Sequence, residues 1–460
     1  MEHLNTLDAG FLEAEDSDRH ISLAVGGLSI IEGSVPDSQA LLAGIAERIE
    51  KLPRSKQVLR THALDLNPPE WVEDETFDIA HHIHRAALPQ PGDDKTLFRF
   101  TAEVMERRLD RDRPLWECWI IEGLENGRWA LLMKIHHCIA DGIATMHMFS
   151  GLSDEGGGAN YANEIRAAKE KHDDSTGRKL NLNPLSWVGT VRNLTATATS
   201  TALLAFEGAI EVAGGLLSPG AQSSLIGPVS SMRRISCARV DLADVNKICE
   251  AFDVTLNDVA LAAITDSFRA ALVRRGEQPR RNSLRTLVPV SIRSPDAVGI
   301  TDNRVSLMLP FLPVDKEDPE EQLRTVHRRL TRAKSSGQRE AGSVALAAAN
   351  IVPFPFTAWA IRALTKLPQR GVVTLATNVP GPRKRLRVMG REVVQVVPIP
   401  PIALQLRTGI AILSYADELV FGITGDFDTA WDVDDLAKGI EAAVARLVAS
   451  ATRNDEHRGG

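Results

Sequence analysis

His136-His137-Cys138-Ile139-Ala140-Asp141-Gly142 is the stretch on which the reading of this chain turns. Ahead of it runs Trp129 to Ile135, apolar except for Lys134, after an Asn126-Gly127 turn. A short apolar run bounded in this way predicts a strand over 129–137. Neighbouring side chains on a strand point to opposite faces. Trp129, Leu131, Met133, Ile135 and His137 therefore share one face, and Ala130, Leu132, Lys134 and His136 the other. The two histidines cannot easily serve one site as a pair, so a single imidazole is offered as a base. Histidine titrates near neutrality and can take up a proton and return it within one turnover. Asp141 is expected to hold the local backbone, or to anchor an arginine, so that the imidazole is aimed. Gly142 permits the tight turn that follows. A short helix is expected to start at Asp141, a good N-cap residue.

Other chemistry fits these residues less well. Three consecutive ligands, His136, His137 and Cys138, have poor geometry for one tetrahedral ion, and no Cys-x-x-Cys supports them, so no metal is expected. Cys138 as a nucleophile is disfavoured because alternation along the strand turns it away from His137. A second cluster, His81-His82-Ile83-His84, has more histidines but lacks the trailing Asp-Gly and sits in a polar stretch. It is read as structural.

The chain has 460 residues, too many for one ordinary core, and two domains of about 200 residues are the natural division. Its 43% hydrophobic and 25% charged content is that of a soluble globular protein. A net charge of −7 argues against nucleic acid as a partner. The cysteines at 118, 138, 237 and 249 show no framework spacing, which fits a reducing cytoplasm. The acidic N-terminus has no apolar signal core, and no uninterrupted apolar stretch of about 20 residues suggests a spanning helix.

The organisation reads as an N-terminal domain (1–152), a linker or crossover with an apolar helix (153–233) and a C-terminal domain (234–460). Periodicity predicts strands over 22–31 and 118–121 and helices over 38–52 and 94–108 in the first. In the last it predicts a helix over 254–274, strands at 284–290, 303–313 and 372–379, a helix over 320–334, a hairpin over 408–427 and a closing helix from Asp432. The apolar 186–217 reads as a buried or bridging helix, or else one that touches lipid. The apolar 344–367 carries Pro353 and Pro355. No repeat of 20–50 residues is present.

His136-His137-x-x-x-Asp141-Gly142 resembles the active-site signature of acyltransferases built on the chloramphenicol acetyltransferase fold. Further blocks are similar to the bacterial wax ester synthase/diacylglycerol acyltransferase family. They are Leu7-Asp8-Ala9-Gly10-Phe11, Arg113-Pro114-Leu115-Trp116, Leu256-Asn257-Asp258-Val259, Pro289-Val290-Ser291-Ile292-Arg293, Asn303-Arg304-Val305-Ser306 and Asn378-Val379-Pro380-Gly381-Pro382. They run in order along essentially the whole chain, and the N-terminal block most resembles the mycobacterial triacylglycerol synthases. Residues 155–185 match no motif.

The resemblance implies an α/β protein of two chloramphenicol acetyltransferase-like domains, each a mixed sheet flanked by helices, with the active site in a tunnel at their interface. It implies transfer of a long-chain acyl group from acyl-CoA, a substrate rather than a cofactor, to diacylglycerol or a long-chain alcohol, with His137 as general base. Asn257, beside Asp258, and then Asn378 are the candidates for the oxyanion environment. Each has a plainer role open to it, Asn257 as a helix cap and Asn378 as a turn former. Asp141 is expected to pair with a distant arginine, for which Arg293 is the candidate. His136 reads as a packing neighbour, and Pro114-Leu115-Trp116 as core. The basic run Arg383-Lys384-Arg385-x-Arg387 reads as a contact for CoA phosphates or an anionic membrane surface, or as a solvated loop. Peripheral attachment to the inner face of a membrane or to lipid droplets is expected. Two other readings share the fold: a condensation-type enzyme using carrier-protein thioesters, and a lipid-binding protein without catalysis.

Overall fold

The computed structural model describes all residues except 1, 5, 51, 53, 62–67, 140–144, 147–149, 156–222, 292–304, 336–371, 404 and 460. Asp141, Gly142, Arg293 and the apolar 186–217 and 344–367 thus lie outside the described residues. The protein is a mixed α/β structure organised on two large sheets.

The first sheet is assembled around β7 (Trp129–His136), which lies between β2 (Ala24–Ile31) and β6 (Trp116–Glu122). Every residue of β7 is buried, which is why it reads as a continuous apolar run rather than an alternating one. Lys134, which looks like an interruption in the sequence, is as buried as its neighbours. Its ammonium donates to the carbonyls of Val104 (2.9 Å) and Arg107 (2.6 Å). These lie at the end of α3 (Asp94–Met105), where carbonyls lack intrahelical donors. Burial pulls the Lys134 pKa down. At its other end α3 is capped by Asp93, whose carboxylate accepts from the Thr96 N–H at 2.8 Å. β5 (Ile83–Ala87) pairs with β6 in parallel, the one parallel pair among the described strands of this sheet.

The other side of the first sheet is supplied from far along the chain. β14 (Arg391–Ile399) pairs antiparallel with β2, and β13 (Arg387–Val388) follows it at the edge. Val393, Val396, Val397 and Ile399 accordingly pack in the same core as Leu28, Leu131 and Trp129. The sheets thus cut across the order 1–152, 153–233, 234–460 in which the sequence is divided.

The second sheet has the order β10-β9-β12-β15-β16-β8, where β8 is Arg233–Asp241, β9 Leu284–Ser291, β10 Val305–Met308, β12 Val372–Val379, β15 Thr408–Tyr415 and β16 Glu418–Asp426. It is also mixed: β12 runs parallel to both β9 and β15, and the remaining pairs are antiparallel. The single strand expected over 303–313 is instead β10 and a separate β11 (Phe311–Leu312). Pro310 between them has no N–H for a ladder, and its carbonyl accepts from Thr286 of β9. α4 (Leu242–Phe252), α5 (Leu256–Arg274), α6 (Pro319–Ser335) and α7 (Val433–Gly459) complete this half. α5 is buried nearly all round and packs on α7, with Ser267 Oγ donating to the Leu436 carbonyl at 2.8 Å.

The halves are stitched where β14 crosses β15 and β16. The Tyr415 hydroxyl donates to the Val393 carbonyl (2.7 Å) and accepts from the Leu386 N–H (2.9 Å). A Cβ at Gly422 would sit 1.6 Å from the Pro398 carbonyl oxygen, so only bare backbone fits there. A small apolar cluster spans the same junction. It joins Ala14, Ile21 and Leu23 to Val229, Ile402 and Ala403, with Phe11 packed against it. No described helix is long and apolar enough to cross a membrane.

Candidate active site

The end of β7 delivers the two histidines to different surroundings. Backbone pairing alternates: the His136 N–H donates to the Leu115 carbonyl at 2.9 Å, and the His137 N–H to the Leu23 carbonyl at 2.9 Å. One histidine is thus anchored on the β6 side and the other on the β2 side. The chain then turns sharply, with the Ile139 N–H donating to the His136 carbonyl at 2.9 Å. Pro114-Leu115-Trp116 is buried, as its apolar residues suggest, and it also supplies the carbonyl that fixes His136.

The His136 ring is buried, with both nitrogens directed at groups of its own chain. Nδ1 accepts from the Cys138 N–H at 3.1 Å. An accepting Nδ1 carries no proton, so the ring proton lies on Nε2. Nε2 faces the Glu15 carboxylate at 3.5 Å, a long contact of charge and dipole rather than a well-formed hydrogen bond. The His137 ring is half-buried and stacks on Phe11, with centroids 4.1 Å apart and planes 20° from parallel. Phe11 and Leu23, the two residues that hold His137, both belong to the apolar cluster spanning the halves. His137 therefore stands at the seam between them. Cys138 is buried, and burial raises its thiol pKa well above 9, so it is a poor source of thiolate.

α1 (Thr6–Ser17) provides the contacts to both rings from one face. Phe11 and Glu15 are four residues apart and so are neighbours along that face. Glu15 is buried, its Oε1 accepting from the Leu23 N–H (2.9 Å) and its Oε2 from Arg111 (2.8 Å). Burial alone raises the pKa of a carboxyl; the contacts with His136, the Leu23 N–H and Arg111 together outweigh it and hold Glu15 at about 2. Arg108 donates to the carbonyls of Ile21 (2.9 Å) and Asp18 (2.6 Å), fixing the segment between α1 and β2. From the second half, Arg233 donates to the His20 carbonyl of that segment at 2.7 Å. Sequence reasoning missed Glu15 and Arg111. The signal was present in the helical spacing of Phe11 and Glu15, but nothing local shows which strand that face covers.

The structure also brings Asn257 and Asn378 together. Asn378, on β12, donates from its side-chain amide to the side-chain oxygen of Asn257 at the start of α5. The cap of α5 is Thr255, not Asn257. Thr255 and Asp258 form a reciprocal capping box, and the Asp258 carboxylate accepts from the Thr255 N–H at 2.8 Å. The same carboxylate oxygen lies 2.9 Å from Nδ1 of His327 on α6. Asp258 is thus held by the helix start and by α6, whereas Asn257 is exposed. Asn378 lies within a strand, in register with Ile412, rather than in a turn. In the basic run after β12, Arg385 pairs with Glu392 at 2.7 Å, and Arg383 and Lys384 are exposed. Among the described residues no group of three or more His, Cys, Asp or Glu side chains is arranged to hold a metal ion.

Two sheets with an imidazole at the seam between them are compatible with acyl transfer, and the class itself is given by the likeness to known proteins. Residues 4–260 match the wax ester synthase/diacylglycerol acyltransferase catalytic domain, and residues 301–447 match the C-terminal domain of the same family. The chain belongs to the wax ester synthase/diacylglycerol acyltransferase family and is an enzyme of its acyl-transferring kind. A probable diacylglycerol O-acyltransferase of Mycobacterium tuberculosis, tgs1, is 55% identical over 459 residues, covering 98% of this chain and 97% of the relative. The O-acyltransferase WSD of Acinetobacter baylyi is 30% identical over 434 residues, covering 92% of each. Among solved structures, a wax ester synthase/diacylglycerol acyltransferase from Marinobacter aquaeolei superposes with a TM-score of 0.67 at 24% identity, covering 98% of this chain and all of that one. The first condensation domain of a calcium-dependent antibiotic synthetase gives 0.61 at 13% identity over 97% of each chain. At such identities the likeness is one of fold, the two-domain chloramphenicol acetyltransferase-like architecture.

Proposed function

We propose that this enzyme transfers a long-chain fatty acyl group from acyl-CoA to the free hydroxyl of diacylglycerol, giving triacylglycerol and CoA, with His137 as general base. The observation that carries this reading is the placement of the two imidazoles. The His136 ring is turned to its own chain, while the His137 ring stands half-buried at the seam of the two halves. Relatives named as diacylglycerol O-acyltransferases support the acceptor. Structural neighbours described as complexes with C8-CoA support the donor, though their likeness to this chain is one of fold.

A thioester is already activated, so attack by the alcohol needs no covalent enzyme intermediate. His137 takes the hydroxyl proton as the oxygen attacks the thioester carbonyl. The tetrahedral oxyanion needs a donor, and the Asn257 side-chain amide, oriented by Asn378, is the candidate. When the carbon–sulfur bond breaks, the imidazolium returns its proton to the departing CoA sulfur. Holding donor and acceptor in one tunnel between the halves makes the encounter local. Asp141 aims the base in this reading, with Arg293 as the candidate partner; both lie outside the described residues. The acceptor is a bilayer lipid, so the enzyme works as a cytoplasmic protein attached to the inner face of the membrane or to lipid droplets.

The test is purified protein with labelled palmitoyl-CoA and diolein, following triacylglycerol and released thiol. Absence of triacylglycerol with wild type, or full activity in His137→Ala, overturns the proposal. A panel of acceptors at fixed acyl-CoA separates diacylglycerol from fatty alcohols, whose use would make the enzyme a wax ester synthase.

A further inference from the structure

We propose that Glu15 is a positioning residue of this acyl transfer: without touching substrate, it fixes the anchors that hold the His137 imidazole in place. The inference rests on His137 being the base. Glu15 stands on the α1 face that also carries Phe11, so one rigid helix addresses both histidines, Phe11 stacking on His137 and Glu15 facing His136. The decisive contact is to Leu23. Its N–H donates to Glu15 Oε1 at 2.9 Å, and its carbonyl accepts from the His137 N–H at 2.9 Å. Leu23 is therefore tied on one side to the carboxylate and on the other to the base. The second carboxylate oxygen holds Arg111 at 2.8 Å and faces the proton-bearing Nε2 of His136 at 3.5 Å, setting the residue next to the base in the chain.

Placing a carboxylate beneath a strand end is expensive unless its oxygens are met by donors. An apolar residue there could pack α1 on the sheet; it could not hold the Leu23 N–H, the arginine and the imidazole in fixed relation. A merely structural ion pair, by contrast, affects how much protein folds and leaves each folded molecule fully active.

The experiment separates these roles. Wild type, Glu15→Gln, Arg111→Lys and His137→Ala are purified as full chains, and their folding is checked by circular dichroism and melting. kcat and KM are then measured with palmitoyl-CoA and diolein by thiol release. Glutamine keeps the shape and an accepting oxygen but loses the charge. Folded Glu15→Gln is expected to keep KM for both substrates within about twofold and to lose kcat by about tenfold or more, the size expected when a base is displaced by a fraction of an ångström. Arg111→Lys removes one support and is expected to lower kcat by about threefold with KM unchanged. A folded Glu15→Gln enzyme with wild-type kcat overturns the proposal, as does a loss of activity fully accounted for by a smaller folded fraction. If Glu15→Gln does not fold, wild-type kcat in Arg111→Lys overturns it. Wild type without turnover defeats the acyltransferase reading instead, and is recognised as such before any variant is compared.

Discussion

Two groups of histidines sit on the same sheet in contrasting surroundings. At 81–84, the sequence suggests a polar stretch, yet His82 is buried. It is stacked 4.5 Å from Trp116 and 5.3 Å from Phe77, with Nδ1 2.8 Å from the Trp116 carbonyl. Burial lowers its pKa, so the ring works as a neutral aromatic spacer. His84 packs on Trp119 in the same manner and is likewise lowered by burial. At 136–137, one ring is turned to its own chain and the other stands at a boundary between halves. The two groups even share a support, since His82 uses the Trp116 carbonyl and His136 the carbonyl of the preceding Leu115. The number of histidines thus says little. What distinguishes a base is a ring held firmly by its flanks at a place a reactant can reach.

That contrast can be broken at several points. The largest effect is expected from His137→Ala, which should lower kcat by about 10³-fold, the usual worth of a general base, without loss of fold. Steady-state thiol release measures it, and a folded variant at wild-type rate ends the distinction between the clusters. Next is the dependence of stability on acid. Glu15 is held at about 2 in the folded protein, well below an ordinary carboxyl at 4.5. A depressed carboxyl stabilises fully above about pH 4.5 and loses that contribution as pH falls toward 2, a contribution on the order of 3 kcal/mol. Denaturant titrations of wild type and Glu15→Gln should show a gap that narrows through this window, and a gap independent of pH argues against it.

A smaller effect is expected from Phe11→Leu. Removing the stacked ring while keeping apolar packing should lower kcat by about tenfold, as the imidazole gains freedom. The smallest belongs to the other cluster. His82→Phe keeps the stacking and deletes one buried hydrogen bond, so it should cost about 1 kcal/mol in stability and leave kcat within about twofold. Loss of turnover in folded His82→Phe would mean that the first cluster does more than pack.

Much of the frame was legible because it is local. An apolar run after Asn-Gly predicts β7, alternation along it predicts that the two histidines face apart, and the pattern over 94–108 predicts α3, which ends at Met105. What escaped was partnership. Lys134 reads as a blemish on an apolar strand, since nothing nearby reveals the α3 carbonyls waiting for its ammonium. Residues 391–399 fall within the stretch assigned to the C-terminal domain and carry no strand in the sequence reading, whereas they complete the first sheet. Asn257 and Asn378, proposed separately for one environment, turn out to be bonded to each other. The carboxylate behind the histidines was hidden further: no helix is read over 6–17 from the sequence, so only the fold shows that Phe11 and Glu15 share a face and where that face rests. Asp141 and Arg293 lie outside the described residues.

The crossing of β14 has a practical consequence for anyone dissecting this enzyme. A fragment ending before residue 387 would strip β2 of its neighbour and leave a naked row of amide and carbonyl groups along a strongly apolar ribbon. Such an edge recruits strands from other molecules. The first half produced alone is therefore expected to precipitate rather than to report on acyl transfer, and a two-piece version of the enzyme must be cut so that the returning strand travels with the piece it completes.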